Sequence, residues 1–133
     1  MPVRDTAAPA APAEADERLH RLFTRIEDKR DDLVALTRDL IRIPTVNPPG
    51  DAYTPCAEMI GERLRARGFA IEYLRAEGTI GDSERYPRTN VVARIDGRAP
   101  GRCVHFNSHI DVVEPGHGWT VDPFGGEERD GRI

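Results

Sequence analysis

Apolar positions set a helical rhythm at the start of the chain. Leu19, Ile26, Leu33 and Leu40 recur every seven residues, and Leu22, Phe23, Leu36 and Ile43 widen the stripe, with Arg, Asp and Glu on the other faces. This spacing predicts one core-packing helix from about Glu14 to Ile43, closed by Pro44. A heptad of that length also allows a coiled coil, but Lys29 and Arg30 interrupt the stripe. "IPTVNPPGD" reads as a rigid loop, since Pro48-Pro49-Gly50 suits neither a helix nor a central strand. Thr54 then offers an N-cap with Pro55 at the first helical position. Cys56, Met59, Ile60 and Leu64 form the next apolar face, and Gly68 supplies a C-terminal stop.

Beyond Gly68 the period changes to two. Phe69, Ile71 and Tyr73 alternate as in a half-buried strand. A polar loop, "AEGTIGDSERYPR", leads to a second strand in "TNVVARIDG", with Val91, Ala93 and Ile95 on one side. After the turn "RAPG", "RCVHFNSHIDVV" predicts a third strand. Helices followed by strands indicate an α/β fold, with helices packed on a mostly buried sheet. Asp130-Gly131 is a hairpin signal that calls for a further strand, so the domain reads as interrupted.

Composition narrows the function classes. Of 133 residues, 38% are apolar and the net charge is −4 with both signs mixed, as in a globular domain with no basic stripe for nucleic acid. Apolar runs are far too short for a membrane span. "MPVRDTAAPAAPAEADER" lacks the apolar core of a signal peptide, which points to the cytoplasm, and residues 1–14 read as a disordered Ala/Pro-rich arm. Residues 15–133 form the folded part. Cys56 and Cys103 stand apart from any CxxC pair and read as buried reduced thiols.

The chemistry concentrates in the third strand. Alternation there puts His105, Asn107, His109 and Asp111 on one face, with His109 and Asp111 at the carboxyl end, where open α/β sheets seat their ligands. A neutral imidazole binds a metal through one nitrogen only if the other holds the proton, and a carboxylate two positions on can accept that proton's hydrogen bond. The spacing is weak evidence alone, because the chain has four histidines and 23 acidic residues. His105 reads as a packed core histidine, His117 as a loop residue and His20 as solvated. Trp119 and Phe124 read as anchors of their loop on the core. Asp122 reads as a turn acceptor, and Asn90 as a tie between strand end and loop.

The flanks of that pair change the weighting. "FNSHIDVVEPGHGWTVDPFGGEERDGRI" resembles the first metal-binding segment of the dinuclear zinc amidohydrolases and metallopeptidases, the family of acetylornithine deacetylase, succinyl-diaminopimelate desuccinylase, aminoacylase-1 and carboxypeptidase G. "LVALTRDLIRIPTVNPPGD" is similar to that family's N-terminal helix and Pro-rich loop, and "RTNVVARIDG" to its Asn-Val-Val strand. The resemblance covers about Asp31 to Ile133, in the family's order. Ser108 stands where glycine is common, and Glu114 precedes Pro115.

The resemblance implies the N-terminal portion of a three-layer α/β/α catalytic domain with a mixed sheet. It implies His109 as a zinc ligand and Asp111 as the catalytic aspartate that orients it. The complete enzyme would hold two zinc ions, although one imidazole does not choose among zinc, cobalt and manganese. It would hydrolyse amide bonds in N-acyl amino acids or small peptides. It would bind a small-molecule substrate, with neither nucleic acid nor membrane as partner, and the resemblance allows a homodimer. The family's bridging aspartate, its glutamate pair and its lid domain would lie past Ile133, so the chain alone is expected to be inactive. The other reading is a non-catalytic remnant, or a small α/β module for binding a partner.

Overall fold

The computed structural model describes residues 12–133, which fall into two compact units, one ending at Thr37 and the other running from Arg38 to Ile133. The arm expected over residues 1–14 lies outside the described residues up to residue 11. Helix α1 spans Pro12–Glu27 and α2 spans Arg30–Ile41. The single long helix expected from the heptad is therefore broken. At the break, the Lys29 amide donates to Ile26 O at 3.0 Å, a tighter bond than the helical one, and Leu33 N to Lys29 O at 2.9 Å resumes the ladder. The break falls where Lys29 and Arg30 interrupt the stripe. Asp31 and Asp32 open α2, where the helix dipole favours negative charge. The expected burial of the stripe is not met on α1, where Phe23 is 64% exposed.

The second unit is built on helix α3, Tyr53–Arg65. It starts one residue before the expected cap: Ala52 precedes it at φ 53° without a side-chain cap, and Thr54 instead shares a hydroxyl hydrogen bond with Thr89 at 2.7 Å. The far end is as expected. Gly68 has φ +88°, its amide bonds Arg65 O at 2.9 Å, and the Phe69 amide bonds Leu64 O at 3.2 Å, the paired closure that a left-handed glycine permits.

Strands β1, Ala70–Arg75, and β2, Thr89–Arg94, pair antiparallel with Ile71 opposite Ala93 and Tyr73 opposite Val91. That face receives α3. The Tyr73 ring lies against Gly61, where a Cβ would collide with it, and Cys56 and Ala57 are 2% and 0% exposed. Burial pushes the Cys56 thiol pKa up.

The expected third strand does not form among the described residues. Residues 101–111 form no ladder; only Val112 pairs, in a single parallel bridge with Val46. Among the described residues the sheet is two-stranded and antiparallel rather than mixed. The alternating pattern was present, but a strand also needs a neighbour for its N–H and C=O groups. Val104 and Phe106 are 74% and 89% exposed. The α/β character stands, and the turn at Asp130-Gly131 forms: both residues have positive φ, and Arg129 and Arg132 exchange backbone bonds of 2.9 and 3.0 Å across it.

Candidate functional site

The site begins where α2 ends. Pro44 halts the helix, and Thr45, only 3% exposed, turns its hydroxyl to donate to Ile110 O at 2.5 Å. The Val112 amide donates to Thr45 O at 3.0 Å, and the Asn47 amide donates to Val112 O at 2.8 Å. Three bonds thus clamp Ile110 and Val112 to the loop, and Asp111 is held between them. A buried threonine with its hydroxyl satisfied is stable here; unsatisfied, it would cost about 1–3 kcal/mol.

His109 and Asp111 meet at the clamped end. His109 Nδ1 lies 3.0 Å from Asp111 Oδ1 and 2.9 Å from the Asp111 backbone oxygen. Both neighbours only accept, so the neutral ring carries its proton on Nδ1, and Nε2 keeps a lone pair that enters neither bond. The imidazole is open to solvent, at 82% exposed, whereas the Asp111 side chain is 34% exposed. Asp111's second oxygen, Oδ2, accepts from Asn47 Nδ2 at 3.0 Å. The Asn47 amide, and after it the His109 ring, hold the Asp111 carboxyl below its ordinary pKa against the opposing effect of burial.

Sequence reasoning did not find the residues behind Asp111. Asn47 Oδ1 accepts from Arg88 Nη1 at 3.2 Å, and Arg88 Nη2 reaches Pro49 O at 3.3 Å. The guanidinium lies over the Tyr53 ring, 5.0 Å from its centroid. Tyr53 is 8% exposed. Burial raises its hydroxyl pKa, and the nearby Asp111 charge raises it further while Arg88 opposes. Asn47 and Arg88 both sat in stretches that carried the family resemblance, "LVALTRDLIRIPTVNPPGD" and "RTNVVARIDG". No pattern of spacing could have joined residues 41 positions apart.

Other expectations divide. Asp122 is a turn acceptor, its Oδ1 bonding Phe124 N at 2.9 Å, and the carbonyls of Gly125 and Gly126 receive Arg42 and Arg38 Nε at 3.2 and 2.7 Å. His20 is exposed and His117 lies in an exposed loop. Asn90 sits within β2 and bonds Leu74 O across the pair at 3.4 Å. His105 is exposed rather than packed, because the strand meant to bury it has no neighbour. Trp119 is 59% exposed and does not anchor its loop. Cys56 is buried, but Cys103 is an exposed free thiol. Among the described residues, no group of three or more His, Cys, Asp or Glu is gathered that could hold a metal ion. Nor, among them, is any helix long and apolar enough to cross a membrane.

Comparison with known proteins adds an independent line. No family model matches the chain, and no solved structure matches it. Curated sequences do. The succinyl-diaminopimelate desuccinylase of Rhodospirillum centenum is 41% identical over 106 residues, 77% of this chain and 25% of the relative. Those of Methylobacterium radiotolerans and Acidiphilium cryptum are 37% and 38% identical, each over 77% of this chain and 24% of their own length. The chain spans about a quarter of the length of the curated relatives it matches. With the His-x-Asp segment, the Pro-rich loop and the Asn-Val-Val strand in one order, and these relatives matched across three quarters of the chain, the protein belongs to the amidohydrolase and metallopeptidase family that includes the succinyl-diaminopimelate desuccinylases.

Proposed function

We propose that His109 and Asp111 form one corner of a metal-dependent site that hydrolyses an amide bond in an N-acyl amino acid or small peptide. One observation carries this reading. His109 offers a bare, solvent-facing Nε2 while its Nδ1 proton is held by Asp111. The relatives' name supports the substrate class, since a succinyl group on diaminopimelate is an N-acyl group on an amino acid.

The residues present fit part of a metal site. Asp111 has one oxygen on His109 and the other on Asn47, so it serves to orient the ring rather than to bind the ion. His109 would hold zinc through Nε2, as one of the three or so protein ligands that a catalytic zinc takes. The other ligands would come from outside the described residues, and the chain alone should then hydrolyse nothing. Zinc, when bound, supplies a Lewis acid for the amide carbonyl and acidifies water. Asp111 keeps the Nδ1 proton in place throughout, so His109 stays a neutral donor. The reading carries a small-molecule substrate, a cytoplasmic setting, and neither nucleic acid nor membrane as partner.

The test is a graft. The matched stretch replaces its counterpart in the Rhodospirillum centenum relative, and zinc content and release of succinate from N-succinyl-diaminopimelate are measured. Activity should persist. His109→Ala should lower zinc occupancy, and Asp111→Ala should cut turnover by about 10–100-fold with a smaller loss of metal. Undiminished zinc in the His109→Ala graft would refute the ligand role. Zinc-dependent turnover by the 133-residue chain alone would refute its expected inactivity. A folded but dead graft would favour the non-catalytic module.

A further inference from the structure

The geometry points to Arg88 and Asn47 as a positioning relay that sets the proton of His109 through Asp111. The inference concerns the same site as the proposed hydrolase function, but its test needs neither metal nor substrate.

A guanidinium only donates, and a carboxylate only accepts. Asn47 lies between them, 3.2 Å from Arg88 Nη1 on one side and 3.0 Å from Asp111 Oδ2 on the other. The amide therefore has one satisfactory orientation, oxygen toward Arg88 and nitrogen toward Asp111. With Oδ2 held by that N–H, Oδ1 is turned to His109 Nδ1 at 3.0 Å. Four side chains are thus joined so that each end fixes the next, and the chain adds to the Asp111 backbone oxygen, 2.9 Å from Nδ1, in favouring the tautomer with a bare Nε2.

Arg88 sits in a cradle made for it. Its backbone amide is tied to Asp82 Oδ1 at 3.1 Å, its Nη2 to Pro49 O at 3.3 Å, and its charge lies over Tyr53. Gly50 and Gly81 flank the guanidinium at φ +102° and +84°, and a Cβ on either would overlap its Nη1 or Nη2. Two glycines from different loops, both in the left-handed region, yield space to one side chain. An arginine serving only as a surface charge would need neither. The intervening amide also has a purpose. Direct pairing of Arg88 with Asp111 would occupy the carboxylate oxygens with a competing cation, whereas the amide transmits orientation and leaves Oδ1 for the imidazole.

The experiment is long-range proton–nitrogen NMR of the ¹⁵N-labelled 133-residue chain without metal, at a pH where His109 is neutral. Wild-type His109 should be mainly Nδ1–H, opposite to the Nε2–H form that a free imidazole prefers. Asn47→Leu, which roughly keeps the shape and removes the donor without adding a charge beside Asp111, should move the tautomer ratio by about fivefold or more toward Nε2–H. Arg88→Met should move it in the same direction by less, and Arg88→Lys should restore most of the wild-type ratio. Gly81→Ala should mimic Arg88→Met. Wild-type His109 found mainly as Nε2–H overturns the inference even if every variant unfolds, and so does a ratio unmoved in a folded Asn47→Leu chain. An inactive graft alongside these tautomer shifts would sink the hydrolase reading alone.

Discussion

Two stretches of this protein both carry apolar positions patterned for burial and are opposite in outcome. Helix α3 with its hairpin buries Tyr53, Cys56 and Ala57, while residues 101–111 leave Val104 and Phe106 exposed. The difference is partnership. Ile71 and Tyr73 find Ala93 and Val91 across the ladder and α3 above it. Val104 and Phe106 find no ladder at all. Alternation states which residues would share a face, but backbone bonding decides whether the face exists. His109 and Asp111 lie at the border of the two regimes, and the clamp from Thr45 to Ile110 and Val112 makes that border.

The largest effect should come from the packed side. Ala57→Leu forces a larger side chain into a fully buried position and should cost about 1–3 kcal/mol. Phe106→Ser should stay within about 0.5 kcal/mol, as for an exposed site. Denaturant melts of both variants check the contrast. Equal losses would mean that residues 101–111 are packed in solution, and the comparison would fail.

The border comes next. Thr45→Val preserves shape and removes the donor to Ile110 O, leaving a carbonyl unpaired beside a buried position. The expected cost is about 1–2 kcal/mol, with faster hydrogen exchange at the Val112 amide and little change at β1 and β2. Exchange accelerating equally across the hairpin would show that the clamp is not a separate unit.

What could be read from the sequence follows the same division. Local chemistry was legible: Gly68 at positive φ, the Asp130-Gly131 turn, the Asp122 turn bond and the strand faces of Tyr73 and Val91 all follow from neighbours within a few residues. The proximity of His109 to Asp111 was also expected, although the third strand that was to bring it about is absent. The break near Lys29 was visible only as an interruption of the stripe. The support of Asp111 was not legible. It runs through Asn47 and Arg88, and the cradle that holds Arg88 needs Gly50 and Gly81 from separate loops. Such a juxtaposition arises from the fold of α3 on the hairpin and leaves no period in the sequence. Trp119 and His105 failed for the converse reason: burial was expected of Trp119 from its residue type and of His105 from its place in a strand, and neither position has anything to bury it.

The smallest expected effect concerns acid. Hydrogen bonding by Arg75, and then by the Arg88 backbone amide, holds the Asp82 carboxyl below its ordinary pKa. Asn47 and His109 do the same for Asp111. A carboxyl whose pKa is lower folded than unfolded favours the folded state above the unfolded value of about 4, and that contribution is lost as pH falls through the folded value. Stability should therefore hold from neutrality down to about pH 4 and decline below it. The Asp111 side chain is 34% exposed, so salt should weaken its share, whereas the Asp82 side chain is 6% exposed and its share should be screened less. Asp82→Asn should flatten the decline more than Asp111→Asn, because Asp82 ties Arg75, Gly78 and the Arg88 amide together. Denaturant midpoints across this range, at low and high salt, give the answer. If Asp82→Asn leaves the acid slope intact, the loop that carries Arg88 is not held by Asp82, and the packed region owes its order to α3 and the ladder alone.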